Sequence, residues 1–186
     1  DLDHTPLVLK NLRDIREANP AKWREYQSLA IALAVVNDSP LPDYWPHIQV
    51  TPSLVPREIT PVAAQFSRWV AANESGMLEV DLRKLPPDQL KFVIDAFVSE
   101  SEIDWARKNV RYTRSNFDRA FSEVAYQPDR IKNKRFFWKS SPYTLANIRR
   151  MGGICVDQAY YAMIAGKAHG LPTLFFTGQG KDGGHA

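Results

Sequence analysis

The chain of 186 residues predicts an α+β fold that is predominantly helical. Apolar residues recur at helical spacing through most of it, Thr-Pro, Pro-Pro and Ser-Pro pairs announce helix starts, and a single stretch near the C-terminal end reads as a strand.

Residues 20–38 read as a central, buried helix, because Trp23, Tyr26, Leu29, Ala30, Leu33 and Val36 make it apolar on most sides. Residues 39–61 hold Pro40, Pro42, Pro46, Pro52, Pro56 and Pro61, each without an N–H donor, and predict an extended arm. Thr60-Pro61 then reads as a cap followed by proline at the first helical position, with Val62, Phe66, Trp69 and Val70 on one face. Pro86-Pro87-Asp88 opens an amphipathic helix in which Leu90, Val93, Ile94, Phe97 and Val98 follow the i, i+3, i+4, i+7, i+8 template. Further helices are predicted over 102–110 and 115–126, with a turn at Pro128-Asp129. Ser141-Pro142 starts another that stops at Gly152-Gly153, and the next runs from Cys155 to the region of His169-Gly170. Residues 172–177, Pro-Thr-Leu-Phe-Phe-Thr, read as the strand. A strand needs hydrogen-bond partners, which this reading places beyond Ala186, and an unpaired edge at 173–177 invites self-association.

Composition bounds the function. With 44% hydrophobic and 24% charged residues, the chain buries a core and is neither disordered nor membrane-spanning. Its longest apolar run, residues 29–36, falls far short of the roughly 20 residues a transmembrane helix needs. One cysteine excludes an internal disulfide and argues against a cysteine-based metal site, so neither a metal nor a cofactor is expected. The 24 basic residues are nearly matched by 21 acidic ones, a balance that does not call for nucleic acid.

That cysteine, Cys155, follows Gly152-Gly153-Ile154 at the start of a predicted helix. Unpaired N–H groups and the positive end of a helix dipole favour a thiolate there. His185 follows a second glycine pair, Gly183-Gly184, and a cysteine with a histidine suggests nucleophilic catalysis.

Together the run Gly152-Gly153-Ile154-Cys155-Val156-Asp157, the helix through Tyr160-Tyr161, Gly170-Leu171-Pro172-Thr173, Gly178-Gln179-Gly180 and Gly184-His185-Ala186 resemble the core of the transglutaminase-like superfamily. The resemblance covers about residues 142–186 and implies a papain-like core whose cysteine helix packs on an antiparallel sheet, incomplete within this chain. Residues 1–140 then form a helical N-terminal region, similar to the helical extensions ahead of such cores in some bacterial proteins. The resemblance implies Cys155 as nucleophile, His185 as general base and then acid, and a third, acidic member beyond Ala186. Neither Asp157 nor Asp182 matches that third position. It also implies a protein or peptide substrate, hydrolysis more than transamidation, and an extracytoplasmic location. The Cys155 N–H is the expected first oxyanion donor, with Gln158 and Trp138 as guesses for a second.

Blander readings compete. A lone cysteine is commonly a small buried hydrophobe, which leaves a non-enzymatic helical binding or scaffolding module as the alternative. His169 is expected to cap a helix end as a cation, His47 to pack within the proline arm, His4 to face solvent, and Tyr160-Tyr161 to be core. Residues 132–139, Lys-Asn-Lys-Arg-Phe-Phe-Trp-Lys, could serve single-stranded nucleic acid or wall a substrate groove; a turn with buried aromatics and solvated lysines is the plainer reading.

Overall fold

The structure, a computed structural model, describes residues 3–41, 43–56, 60–139, 141–181 and 183–186. Its first layer is four helices: α1 (Thr5–Ala18), α2 (Gln27–Val36), α3 (Val62–Glu74) and α4 (Pro87–Ile94). They bury one apolar cluster containing Ile15, Leu29, Leu33, Phe66, Trp69 and Leu90. Each such side chain withdrawn from water contributes about 1.5–3 kcal/mol. No element was expected over α1, whose first turn carries Pro6 and which buries only Asn11 and Ile15. His4, expected in solvent, is half-buried with Nδ1 3.0 Å from the Asp38 carbonyl oxygen.

The helix expected over 20–38 is shorter. Residues 20–26 form a turn on the Asn19 carbonyl, and Tyr26 at φ −112°, ψ 36° leaves helical geometry just before α2. Thr60 does not cap α3; its hydroxyl donates to Glu100 (3.0 Å). The amphipathic helix expected to Val98 ends at Ile94. The Phe92 carbonyl, which a continuing helix would use, instead accepts from Thr173 N–H (3.1 Å) and Lys167 Nζ (2.7 Å).

The second layer comprises α5 (Glu100–Asn109), α6 (Arg119–Ser122), α7 (Pro128–Lys132), α8 (Leu145–Met151) and α9 (Cys155–Ala168). The helix expected over 115–126 is broken into a turn at Arg114–Asn116 and the four-residue α6. Beyond α6 other groups claim its carbonyls: Val124 accepts from Gln158 Nε2 (2.8 Å) and Ala125 from Gly153 N–H (2.9 Å). The turn expected at Pro128 is the short helix α7. Ser141-Pro142 does not start α8, because Tyr143 N–H is drawn to the Leu54 carbonyl (2.6 Å). Thr144 caps it through Asn147 N–H (3.2 Å), and the Glu102 carboxylate accepts from Leu145 N–H (2.6 Å). A second apolar cluster joins Val50, Val55, Ile103, Val110, Tyr143, Ile148, Tyr160, Tyr161 and Ile164. The proline arm is pinned to it, with Val50 bridged to Trp138.

The strand expected over 172–177 is not formed. Residues 171–177 run extended, with Thr173 and Phe175 inward and Leu174 and Phe176 outward, but make no ladder among the described residues. The strands are β1 (Gly178–Gly180) and β2 (Gly183–His185), an antiparallel hairpin pairing Gly178 with His185. The main neighbours of α9 are α4, α5, α6 and α8. No helix among the described residues is long and apolar enough to cross a membrane.

Lys167 joins the two layers. Fully buried, its ammonium donates to the Phe92 and Thr173 carbonyls (2.7 Å each) and pairs with Asp95. Without the ammonium the inward Thr173 carbonyl loses its donor, at about 1–3 kcal/mol, and the buried stem leaves a cavity. Lys167→Ala is therefore expected to lower stability by about 2 kcal/mol or more, read as a shift of the urea midpoint; an unmoved midpoint would show that the layers are held otherwise.

Candidate active site at the start of the cysteine helix

Two glycines shape the approach to α9. Gly152 takes φ +74° with the Ala125 carbonyl oxygen 2.5 Å from where a Cβ would stand, and a Cβ on Gly153 would meet that of Asp157 at 2.4 Å. Ile154 is the N-cap residue and Cys155, partly exposed, is the first helical residue. The N–H groups of Cys155 and Val156 have no partner among the described residues, as expected in a first turn.

Asp157 fixes this turn. Only 1% exposed, it accepts at Oδ2 from Ile154 N–H (2.9 Å) and Arg130 Nη1 (2.7 Å), and at Oδ1 from the Tyr143 hydroxyl (3.0 Å). Burial pushes its carboxyl pKa up, while the Ile154 N–H, Arg130 and Tyr143 oppose the rise. The Tyr143 oxygen in turn lies 2.8 Å from His47 Nε2. Gln49 N–H points at His47 Nδ1 (3.2 Å), so Nδ1 is the acceptor and Nε2 carries the proton given to Tyr143. Burial, with a smaller push from Arg130, lowers the His47 pKa to about 4. The neutral ring stacks near Phe175 and edge-on to Tyr143 and Tyr160. His47 does pack within the arm, as expected, and it also lines the cavity in front of Cys155.

That cavity, about 350 Å³, is lined by Cys155, Val156, His47, Phe136, Thr177 and His185, among others. Cys155 and His185 thus share one open space, brought there by the start of α9 and the end of the hairpin. No hydrogen bond joins them among the described residues, and the His185 ring folds over Gly180, within 3.0 Å of where a Cβ would be. Among those residues no carboxylate hydrogen-bonds His185; Asp182 lies outside them. The two guesses for a second oxyanion donor are already committed, Gln158 to the Val124 carbonyl and Trp138 Nε1 to that of Ser141 (2.8 Å each). No cluster of three or more His, Cys, Asp or Glu that could hold a metal occurs among the described residues.

Tyr160 and Tyr161 are core, as expected. His169 is not a cationic cap: it is buried, Nε2 has no partner among the described residues, and burial lowers its pKa. Within 132–139, Trp138 is buried, Phe136 half-buried and Phe137 exposed, and Phe136 walls the Cys155 cavity. Sequence reasoning missed Tyr143 and Arg130 and assigned no role to Asp157. The third helical position of Asp157 was the available signal, whereas nothing in the sequence pairs Arg130 or His47 with it.

No family model, curated protein or solved structure matches the chain. The transglutaminase-like resemblance therefore rests on the residues that carry it.

Because the His47 pKa falls from 6.5 unfolded to about 4 folded, the unfolded chain binds the extra proton between those values. Stability is then lost as pH drops from about 6.5 toward 4, by an amount on the order of 3 kcal/mol. His169 shifts in the same direction, so His47→Gln should flatten the fall in melting temperature between neutral and mildly acid buffer without abolishing it. An unaltered slope in that variant would remove His47 from the acid response.

Proposed function

We propose that this chain carries the nucleophile and the base of a thiol-dependent acyl transfer on amide bonds. The carrying observation is that Cys155, first residue of a rigidly capped helix, lines the same open cavity as His185. The Cys155 thiolate would attack the amide carbon, forming a C–S bond while the C=O electron pair moves onto oxygen. The N–H groups of Cys155 and Val156, without a partner among the described residues, would be the donors to that oxyanion. As the tetrahedral intermediate collapses the C–N bond breaks, and the amine leaves with a proton from the His185 imidazolium. Water or a second amine, deprotonated by His185, would then bond to the thioester carbon, and breaking the C–S bond would free the acid or new amide and return the Cys155 thiolate. A papain-like core around this pair, hydrolysis in preference to transamidation, and a protein or peptide substrate belong to the same reading.

Incubation with p-nitrophenyl acetate tests it. The expected result is a burst of nitrophenolate and an acetyl adduct on the Cys155 peptide by mass spectrometry, absent in Cys155→Ala. His185→Ala should slow release of that adduct by about a hundredfold. Acetylation no faster than that of a free thiol, or indifference to His185, would sink the reading.

The non-enzymatic module has one observation in its favour. Leu174 and Phe176, 49% and 71% exposed, stand along the unladdered segment 171–177 beside an apolar hollow lined by Phe117, Phe121, Met163 and Leu171. We infer that copies associate through this apolar face. Sedimentation velocity should show a concentration-dependent dimer that Leu174→Lys/Phe176→Lys removes; a monomer at every concentration would count against it.

A further inference from the structure

A second hollow, about 410 Å³, lies directly behind the glycine turn that leads to Cys155. It is lined by Arg130, Lys134, Arg135, Phe136, Phe137 and Lys139, and reaches Gly152. Phe136 lines this hollow and the Cys155 cavity alike, so the two spaces are neighbours. Among the described residues no carboxylate lines it. Arg130 is spent on Asp157 and on the Phe136 carbonyl (2.9 Å), which makes it a fixed wall. Lys134, Arg135 and Lys139 are exposed and have no ion-pair partner among the described residues. Some exposed or half-exposed cations elsewhere are met by acids of the chain itself, as Lys22 by Glu25 and Glu74 and Arg83 by Asp81 and Glu25, while Arg13, Arg16 and Lys84 have no ion-pair partner among the described residues either. What sets residues 134–139 apart is that three such cations line one concave space beside the cysteine cavity.

We propose that this hollow binds an acidic segment of a polypeptide, whose carboxylates meet Lys134, Arg135 and Lys139 while an apolar side chain rests on Phe137. Charge complementarity selects the ligand, and uncommitted cations in a concave site gain more from carboxylates than isolated surface ones do. A single-stranded nucleic acid fits less well. Stacking needs successive open rings, yet Trp138 is buried with its indole N–H given to Ser141, and Phe136 is half-covered. Phe137 alone is open. In combination with the acyl-transfer reading, on which this consequence rests, the hollow makes the preferred substrate a peptide acidic to one side of the attacked bond.

The probe is a fluorescein-labelled peptide alternating glutamate and glutamine, compared by anisotropy with its all-glutamine counterpart on the full chain carrying Cys155→Ala. Removing the thiol keeps binding separate from chemistry, so the peptide result stands or falls independently of acetylation at Cys155. At low salt the glutamate peptide is expected to bind about tenfold or more tighter than the glutamine one, an advantage that shrinks as salt screens it. Lys134→Asn/Arg135→Gln should remove that advantage. Asparagine tolerates the left-handed backbone at residue 134 (φ 54°), and an unchanged thermal melt verifies the fold. Arg13→Gln/Arg16→Gln on α1 removes the same charge elsewhere and should leave binding unaltered. Equal affinity for the two peptides, equal weakening by the α1 pair, or an oligothymidylate of matched charge that binds tighter and displaces the peptide would each overturn the proposal.

Discussion

A carboxylate withdrawn from water at the head of α9 is the constraint on which the rest of the site depends. Burying Asp157 is costly unless its oxygens are fully occupied. They are occupied by groups from three parts of the chain: Arg130 in α7, Tyr143 ahead of α8, and the Ile154 N–H of its own helix. Through Tyr143 the proline arm is drawn in as well, because His47 sits on the same hydroxyl. Loss of one partner would leave a buried charge short of hydrogen bonds, so the four segments hold one another in a single arrangement. Gly153 is part of that arrangement, since the Asp157 side chain occupies the space where a methyl group would be.

The opposite end of α9 obeys the same logic with the sign reversed. There the buried cation Lys167 is surrounded by the Phe92 and Thr173 carbonyls and by Asp95. These contacts end α4, lay the extended segment 171–177 against α9, and tie the first layer to the second. Gly166 permits the close approach, as the Thr173 methyl group lies 2.6 Å from where its Cβ would be. The helix between these two anchors is almost wholly buried, from Val156 to Ala168, so apolar packing supplies its stability and the two ions supply its position. A helix fixed at both ends holds Cys155 in place against the second layer.

Legibility followed the range of the interactions. Helices whose pattern is local, α3, α5 and α9, lie close to where apolar spacing places them, and the Gly-Gly-Ile-Cys start is visible because capping and positive φ are properties of a few consecutive residues. Errors occur where a distant group captures a backbone carbonyl or N–H. Lys167 shortens α4, Gln158 and Gly153 break the helix expected over 115–126, and the Leu54 carbonyl delays α8. The strand expected over 172–177 has the alternation of a strand without the ladder, since alternation reports which side chains face a core and says nothing of which backbone lies alongside. For the site, Cys155 and His185 could be singled out as chemical groups, whereas the Arg130–Asp157–Tyr143–His47 chain spans intervals from 14 to 96 residues and leaves no local pattern.

These long intervals also decide which groups can act in the cavity. His47 lies nearer the start of α9 than its distance in sequence suggests, yet its pKa near 4 and the proton it gives Tyr143 make it a neutral, fixed hydrogen-bond donor. It holds a position and moves no proton at neutral pH. Arg130 is likewise paired with Asp157, so at the cavity the N–H groups of Cys155 and Val156 are left without a partner among the described residues, while the exposed cations of residues 134–139 line the neighbouring hollow. The buried network thus spends its own charges on one another. Under the acyl-transfer reading proposed above, the backbone donors would serve the oxyanion and the surface lysines and arginine the choice of partner.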